Sequence, residues 1–417
     1  MEKWSSNIGF LFAAIGSAVG LGNIWRFPIS VYENGGGAYL IPYLLITFLF
    51  GLPVMIVSIS GGELTESDVV TTFKEIGTGQ LGWVIVAAGA AILSFYLVVT
   101  GWILAFMAYF AFDLSFTFQR LTDGYIPVGL FLLSAVIVGG IVLFGIERGI
   151  ERVSSILVPV LFVVLVGLLI YVSMQPGFMR GVRYFLNPDF SVLSDTELWI
   201  AAFGQAFFSL SLGAGTYITY GSYLEGKSSI SKMSIIITVA NIVSAIIVGL
   251  AIFPLVFKYL GNPSNLPSGQ ELAFTTLPHV FAEMPFGNLF GFVFFGLLLI
   301  AALSSGISIL EVSVASGMGR GLSRKKSALI FGSLVTAIGL PSALSYSGAN
   351  LTLGGKRIMD IVNQDIGNLL LPLSALIIGI GLTWVIDEKV TDFSFAYLVT
   401  KYLFPVILIS TIIAKYI

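Results

Sequence analysis

Residues 16–28 read GSAVGLGNIWRFP and lie inside the first long apolar stretch, Ile8 to Tyr32. About 20 apolar residues suffice to cross a bilayer as a helix, and each interior glycine weakens a helix by about 1 kcal/mol relative to alanine. Gly16, Gly20 and Gly22, with Asn23 and Arg26 close behind, therefore mark a membrane segment that interrupts itself. The sixth apolar stretch repeats the pattern: FGQAFFSLSLGAGTYITYGSY (203–223) carries Gly213 and Gly215 at its centre.

The rest of the chain supports a membrane setting. It is 57% hydrophobic and 10% charged, whereas a soluble domain is about 45–50% apolar and about 25% charged. Apolar runs recur at 7–32, 37–61, 81–112, 125–145, 153–174, 197–224, 231–258, 287–317, 327–346, 358–384 and 395–416. The expected fold is an all-α polytopic membrane protein of eleven transmembrane helices in one domain, 1–417; a β-barrel would show short alternating segments instead. The net charge of −2, without a basic patch, points away from nucleic acid, and the absence of cysteine excludes disulfides and thiolate ligands. No small-residue cleavage pattern follows the first segment, which reads as a retained helix rather than a signal peptide. The bilayer is the expected surrounding, and no feature points to an obligate protein partner.

Two connections stand out. Gln175 to Glu197, with Pro176, Gly177, Asn187 and Pro188, reads as an outer loop. QELAFTTLPHVFAE (270–283) is too short to span and reads as a loop helix over the outer face; its lone His279 is no metal centre. With the N-terminus inside, twelve of the twenty Lys and Arg fall on the inner side, notably in GRGLSRKK (319–326). The positive-inside rule then makes the N-terminus cytoplasmic and, with an odd helix count, the C-terminus extracellular, in the cell membrane.

The two breaks fall at matching positions if helices 1–5 (1–174) and 6–10 (197–384) form two repeats, with helix 11 (395–416) added. Five helices per repeat start the second half on the opposite side, so the repeats are inverted. Glycine-broken helices at corresponding positions point to a transporter's binding site. A break at mid-membrane bares carbonyls at one half-helix end and N–H groups at the other; the first suits a cation, the second an anion. One broken helix can thus hold Na⁺ and a carboxylate, with Asn, Ser, Thr and backbone oxygens as neutral ligands. Gly16-x-x-x-Gly20 alone also fits plain helix packing; the second break, with hydroxyl and amide residues beside both, favours a site. GLGN is no nucleotide fingerprint, since no strand precedes it.

GSAVGLGNIWRFP with ENGGGAYLIPY (33–43) resembles the first two helices of the neurotransmitter:sodium symporters. So do NPDFSVL (187–193), QAFFSLSLGAGTYITYGSY (205–223), ANIVSAIIVGLAIFPLVF (240–257) and ALSSGISI (302–309) for later helices, and the resemblance covers nearly the whole chain. It implies the five-plus-five inverted-repeat fold, alternating access, and a prokaryotic amino-acid transporter with eleven helices. It further implies two sodium sites. The first would use the Ala18 carbonyl and the side chains of Asn23, Ser209 and Asn241, with the substrate carboxylate. The second would use the carbonyls of Gly16, Val19 and Ala301 and the hydroxyls of Ser304 and Ser305. Isolated serines of this kind more often serve helix–helix hydrogen bonding.

By the same resemblance the substrate carboxylate meets the N–H groups of Leu21 and Gly22 and the hydroxyl of Tyr96. Ser209, Ser211 and carbonyls at the breaks, Ala18 included, take the amino group. Monoamine carriers of the family hold an Asp at the position of Gly20; glycine leaves that space open, which points to an α-amino acid. Leu21, Ile92, Phe208, Ala214 and Ile309 would line the side-chain pocket. None is charged, and Ala214 replaces a bulkier residue of leucine-carrying members, so a large hydrophobic or aromatic amino acid is expected.

The chain also departs from the family. Arg26 and Gln205 match the outer gate, but the carboxylate that faces this Arg aligns with Asn363; Asp360 and Asp365 flank it. Trp4 matches the inner gate, yet its Arg and acidic partners align with Met1 and Gly319, leaving Lys3 to find another acceptor. The buried Glu of helix 2, which bonds to the sixth-helix break, aligns with Ser58. Ala245 stands where chloride-dependent members hold Ser, beside Tyr43, Gln205, Ser209 and Asn241, and leaves chloride dependence open. Glu311, an acid at membrane depth, reads as lining the inner vestibule. Proton or other cation coupling, or a non-transporting amino-acid sensor, remain the alternatives to sodium symport. A channel would need a continuous polar pore with a charged ring, and an enzyme a nucleophile–base pair or metal ligands; no cysteine and one loop histidine argue against the common forms of the latter.

Overall fold

The computed structural model describes residues 2–112, 114, 117–225, 229–260, 272–363, 367–385, 391 and 393–416. Among these, nine helices are long and apolar enough to cross a membrane. Numbered by their place among the apolar stretches, they are helix 1 (Asn7–Glu33), 2 (Gly37–Thr65), 3 (Gly79–Ala111), 4 (Ile126–Leu143), 5 (Ile146–Ser173), 7 (Ile230–Tyr259), 8 (Gly287–Met318), 9 (Arg324–Ser345) and 11 (Ser394–Ile413). The other two stretches are not among the nine. Helix 6 is two pieces, 6a (Thr196–Ser209) and 6b (Thr216–Gly221). The tenth stretch is described as a short helix at Ile358–Ile361 and as helix 10, Gly367–Ile380, which continues as a π-turn to Val385; residues 364–366 lie outside the described residues. Asp365 lies outside the described residues.

Burial sorts these helices into an inner bundle and an outer shell. The most apolar windows of helices 1, 3 and 8 are 83%, 83% and 72% buried, whereas those of helices 4 and 5 are each 28% buried. The first group faces protein; the second offers Val136 and Val163 outward, as a lipid-facing surface requires. Helix 3 packs chiefly on helix 8, along the side where both breaks lie.

Helix 1 begins where Ser6 accepts a hydrogen bond from the Gly9 N–H (3.0 Å). Beside this positive helix end, Glu151 accepts from the Ser5 N–H (2.9 Å) and hydroxyl (2.5 Å). The α-helix stops at Ala18, resumes as a wide π-turn at Gly22–Arg26, and returns to α-form at Phe27–Glu33, with Pro28 in the first turn, where its missing N–H costs nothing. Helix 6 breaks because three successive alternate residues take left-handed backbone: Ser211 (φ 54°), Gly213 (φ 85°) and Gly215 (φ 80°).

Helix 6b is locked to helix 2 by a pair of glycines. A Cβ on Gly62 would stand 2.0 Å from the Ile218 carbonyl oxygen, and one on Gly221 would stand 2.3 Å from that of Ile59. The backbones touch at both points.

Residues 272–282 form a π-turn and a short helix, Leu277–Ala282, as the sequence suggests. Phe274 packs among Trp102, Phe106, Phe118 and Phe295, so this loop seals the ends of helices 3 and 8. The 175–197 connection contains a further helix, Phe178–Leu186, and a bridge from Pro188 to Gly36. A two-residue hairpin pairs Thr352–Leu353 with Lys356–Arg357 around Gly354 and Gly355. Both glycines have positive φ, as such a tight turn demands.

Candidate functional site

The breaks of helices 1 and 6 meet. The Ser211 hydroxyl donates to the Ser17 carbonyl at 2.7 Å, and Ser305 of helix 8 donates to the same carbonyl at 3.1 Å. Gln205 of helix 6a donates its amide to the Gly22 carbonyl at 2.7 Å. The carbonyls bared by one broken helix are thus met by side chains of its neighbours, as a low-dielectric setting requires.

Beside this junction lies a small cavity of about 20 Å³, with room for roughly one water. Of the expected substrate residues, Gly20, Gly22, Ile92, Tyr96, Phe208, Ser209, Ser211, Ala214 and Ile309 line it. Ala18 and Leu21 do not: both are fully buried in the packing around it. The Leu21 backbone still takes part, donating its N–H to the Tyr96 hydroxyl at 3.0 Å. Ser17, Ser305 and Leu371 complete the wall. One end is therefore polar, with Tyr96 and the N–H end of a half-helix. The other is apolar, with Ile92, Ala214, Ile309 and Leu371.

The expected space at Gly20 is closed. A Cβ there would come within 2.3 Å of Ser305 Oγ and 2.9 Å of the Tyr96 hydroxyl. A side chain at this position would require the Ser305 and Tyr96 hydroxyls to move.

At the first expected sodium position, Asn23 turns its amide N–H groups toward the Asn241 carbonyl (2.8 Å) and Ser244 Oγ (3.0 Å). The Asn241 side chain accepts from Asn23 Nδ2 at 2.7 Å, and the Ala18 and Ser209 carbonyls lie around the same amide. The donor set is neutral and oxygen-only, which fits a monovalent hard cation. Among the described residues no cluster of three acidic, histidine or cysteine side chains could hold a multivalent one.

At the second expected position, Gly16 fits against helices 5 and 8: a Cβ would stand 3.0 Å from Val158 Cγ2 and 3.1 Å from Ser304 Cβ. Ser304 donates to the Ile300 (3.0 Å) and Ala301 (3.1 Å) carbonyls of its own helix. Ser305 reaches the Gly16 carbonyl at 3.5 Å besides that of Ser17. Val19 closes the first α-helix, its N–H donating to the Ile15 carbonyl at 2.7 Å. These oxygens again carry no formal charge.

Both faces of the site are covered. On one side, the Arg26 guanidinium lies over the Phe208 ring, 4.5 Å from its centroid. Asp360 accepts from the Tyr346 hydroxyl (2.9 Å), and Asn363 lies half-buried near the start of helix 10. On the other side, the Trp4 ring N–H donates to the Tyr220 carbonyl (3.0 Å), and Lys3 pairs with Glu66 (3.5 Å) and the Leu224 carbonyl (3.2 Å). A side chain at Gly319 would have to displace the Asp68 carboxylate, which binds Arg320 at 2.9 Å.

Glu311 does not line a vestibule. It is fully buried and takes a two-pronged bond from Arg324 (2.8 and 2.9 Å) and a third from the Tyr223 hydroxyl (2.7 Å). Arg324 also holds Glu2 at 2.7 Å. The N-terminal segment, helices 6b, 8 and 9 are thus pinned together at one end. Glu2 and Arg324 are 322 positions apart, and nothing in either's local sequence signals the contact.

A small polar–apolar cavity between two broken membrane helices, with clustered neutral oxygens beside it, is the site of a secondary transporter, not of an enzyme. The family comparison agrees: the model of the sodium:neurotransmitter symporter family matches residues 1–126 and 113–396, and the chain belongs to that family. It is 36% identical over 410 residues to an uncharacterised sodium-dependent transporter of Bacillus subtilis, covering 93% of this chain and 88% of the relative. It is 35% identical over 412 residues to another of Methanocaldococcus jannaschii, covering 92% and 82%. Among solved structures, that of MhsT in complex with L-phenylalanine superposes with a TM-score of 0.89 at 35% identity, covering 99% of each chain. The fold is therefore the family's inverted-repeat transporter fold, with helices 1 and 6 broken.

Proposed function

We propose that this protein is a sodium-coupled symporter of hydrophobic or aromatic α-amino acids, working by alternating access. One observation carries the reading: a cavity at the two breaks has a polar end, where Tyr96 meets the N–H end of a half-helix, and an uncharged end, Ile92, Ala214 and Ile309. The likeness to a transporter solved with L-phenylalanine supports the substrate class.

The family resemblance implies two sodium positions: Ala18, Asn23, Ser209 and Asn241 for one, Gly16, Val19, Ala301, Ser304 and Ser305 for the other. Sodium bound there would couple transport to its own downhill gradient and, at the first position, would offset the charge of the substrate carboxylate. The chain's own part is to hold these oxygens in place and to cover the cavity. Phe208 and Arg26 cover one side; Trp4, Tyr220 and the Glu311–Arg324 pair cover the other. A 20 Å³ cavity admits an amino acid only when its walls move, which alternating access requires. The Lys and Arg distribution supports a cytoplasmic N-terminus and an extracellular C-terminus. The two repeats are assigned to 1–174 and 197–384, with helix 11 outside them.

The test is uptake of a labelled amino-acid panel into proteoliposomes with and without an inward Na⁺ gradient at fixed pH. Gradient-dependent accumulation of leucine, phenylalanine or tryptophan is expected. Uptake driven only by a proton gradient, or binding without flux, would replace this reading by proton coupling or by a sensor.

A further inference from the structure

The substrate residues considered so far come from helices 1, 3, 6 and 8. The cavity has one more wall. Leu371 of helix 10 is buried and lines it beside Ala214. Helix 10 reaches this depth only because residue 213 is glycine. A Cβ on Gly213 would stand 2.1 Å from the Leu371 carbonyl oxygen and 3.1 Å from the Ala375 nitrogen. The unwound strand of helix 6 therefore lies directly on the turn of helix 10 that carries Leu371.

Ser374, on that same turn and 1% exposed, donates its hydroxyl to the Gly213 carbonyl at 2.6 Å. A serine inside a helix ordinarily returns this bond to a carbonyl three or four residues back, as Ser304 and Ser316 do here. Ser374 directs it across to the break instead. The acid that the family's second helix offers to this break is here Ser58, which bonds only within its own helix, to the Val54 carbonyl at 2.7 Å. The strand is thus tied to helix 1 through Ser211 and to helix 10 through Ser374.

We propose that helix 10 sets the depth of the side-chain pocket: Leu371 is its specificity-determining wall, and Ser374 is the positioning residue that holds Gly213–Ala214 against it. This rests on the amino-acid reading of the site given above. The small Ala214 leaves volume at the apolar end, and Leu371 takes it up. Changing Leu371 alters the ranking of amino acids by size, not the recognition of their common carboxylate and amine.

The experiment is binding of labelled phenylalanine to the purified full-length protein in saturating Na⁺, displaced by unlabelled alanine, leucine, phenylalanine and tryptophan. Leu371→Ala is expected to raise the tryptophan-to-alanine affinity ratio by about tenfold or more, the discrimination carried by one or two methylenes in an apolar pocket. Leu371→Phe should move it the opposite way, which keeps the test decisive if the truncated variant does not fold. Leu373→Ala, on the exposed side of the same helix, should leave the ratio unchanged. Ser374→Ala should shift the ratio as Leu371→Ala does, and Ser374→Thr should restore it, with the half-saturating Na⁺ concentration constant throughout. A common factor across all four ligands for both Leu371 variants, or no change, would overturn the role of helix 10 alone. Failure of the wild-type protein to bind any of the four would overturn the amino-acid reading and this proposal with it.

Discussion

Ser211 and Ser17 are joined by a 2.7 Å hydrogen bond from the hydroxyl of one to the carbonyl of the other, across 194 positions of sequence. The bond connects the break of helix 6 to that of helix 1, so the two half-helix ends facing the cavity share one reference point. Ser211 holds it from a left-handed backbone conformation (φ 54°) that a non-glycine residue seldom takes.

The strain and the bond can be separated by mutation. Ser211→Gly removes the hydroxyl but relaxes the backbone, while Ser211→Ala removes the hydroxyl and keeps the strain. Loss of the bond alone is worth about 1 kcal/mol, or roughly fivefold in affinity. Amino-acid binding by Ser211→Gly should fall by about that factor and by Ser211→Ala further. Equal affinities would show that the backbone carries no strain.

Asn23 gives its amide N–H groups to Asn241 and Ser244, which leaves its side-chain oxygen as the ligand it can offer a cation. Asn23→Ala should raise the Na⁺ concentration for half-maximal uptake by about tenfold or more, since bonds to a charged group are worth about 1.5–3 kcal/mol. Ser305→Ala should act on the same measurement. A lowered maximal rate with unchanged Na⁺ dependence in both would remove these residues from the sodium positions.

Gly213→Ala should fail where Gly139→Ala succeeds. The first puts a methyl 2.1 Å from a backbone oxygen at φ 85°; the second meets open space. In detergent, Gly213→Ala should lose about 1–3 kcal/mol for the backbone conformation alone, before any clash. Melting temperature and elution profile on size-exclusion chromatography decide it.

The Glu311–Arg324 pair gives a prediction of opposite sign for single and double changes. Removing one member of a buried pair costs about 3–5 kcal/mol because the other charge is stranded, whereas replacing both by apolar residues is often neutral. Arg324→Ala should lower the melting temperature sharply, and Glu311→Leu with Arg324→Met should recover most of the loss. Additive losses in the double variant would show that the two side chains do not depend on each other.

Much of this arrangement could be read in advance where the chemistry is written into contiguous residues. GSAVGLGN and SLSLGAG announce their breaks because a membrane helix has little other reason to carry such glycines, and the oxygen donors lie within or beside them. Leu371 was hidden because LLLPLSAL offers several equivalent leucines, and only the contact with Gly213 distinguishes one. Ser17 sat inside the quoted motif, but its role belongs to its carbonyl, which every residue has. Glu311 was misplaced because membrane depth says nothing about a partner supplied by the next helix. The Gly354–Gly355 hairpin was legible from its glycine pair and was passed over among long apolar runs.

Gly62 and Gly221 place backbone on backbone, with no side chain between to deform. Two rods in such contact cannot slide by small rotamer changes; they separate altogether or travel as one piece. Helix 2 should therefore accompany 6b as ballast, and the compliance must be concentrated in the six residues 210–215 that precede 6b. Since the chain has no cysteine, spin labels can be introduced pairwise without background. A label pair across helices 2 and 6b should report one distance through the whole cycle, while a pair across 6a and 6b reports two; two distances in the first pair would divide the block.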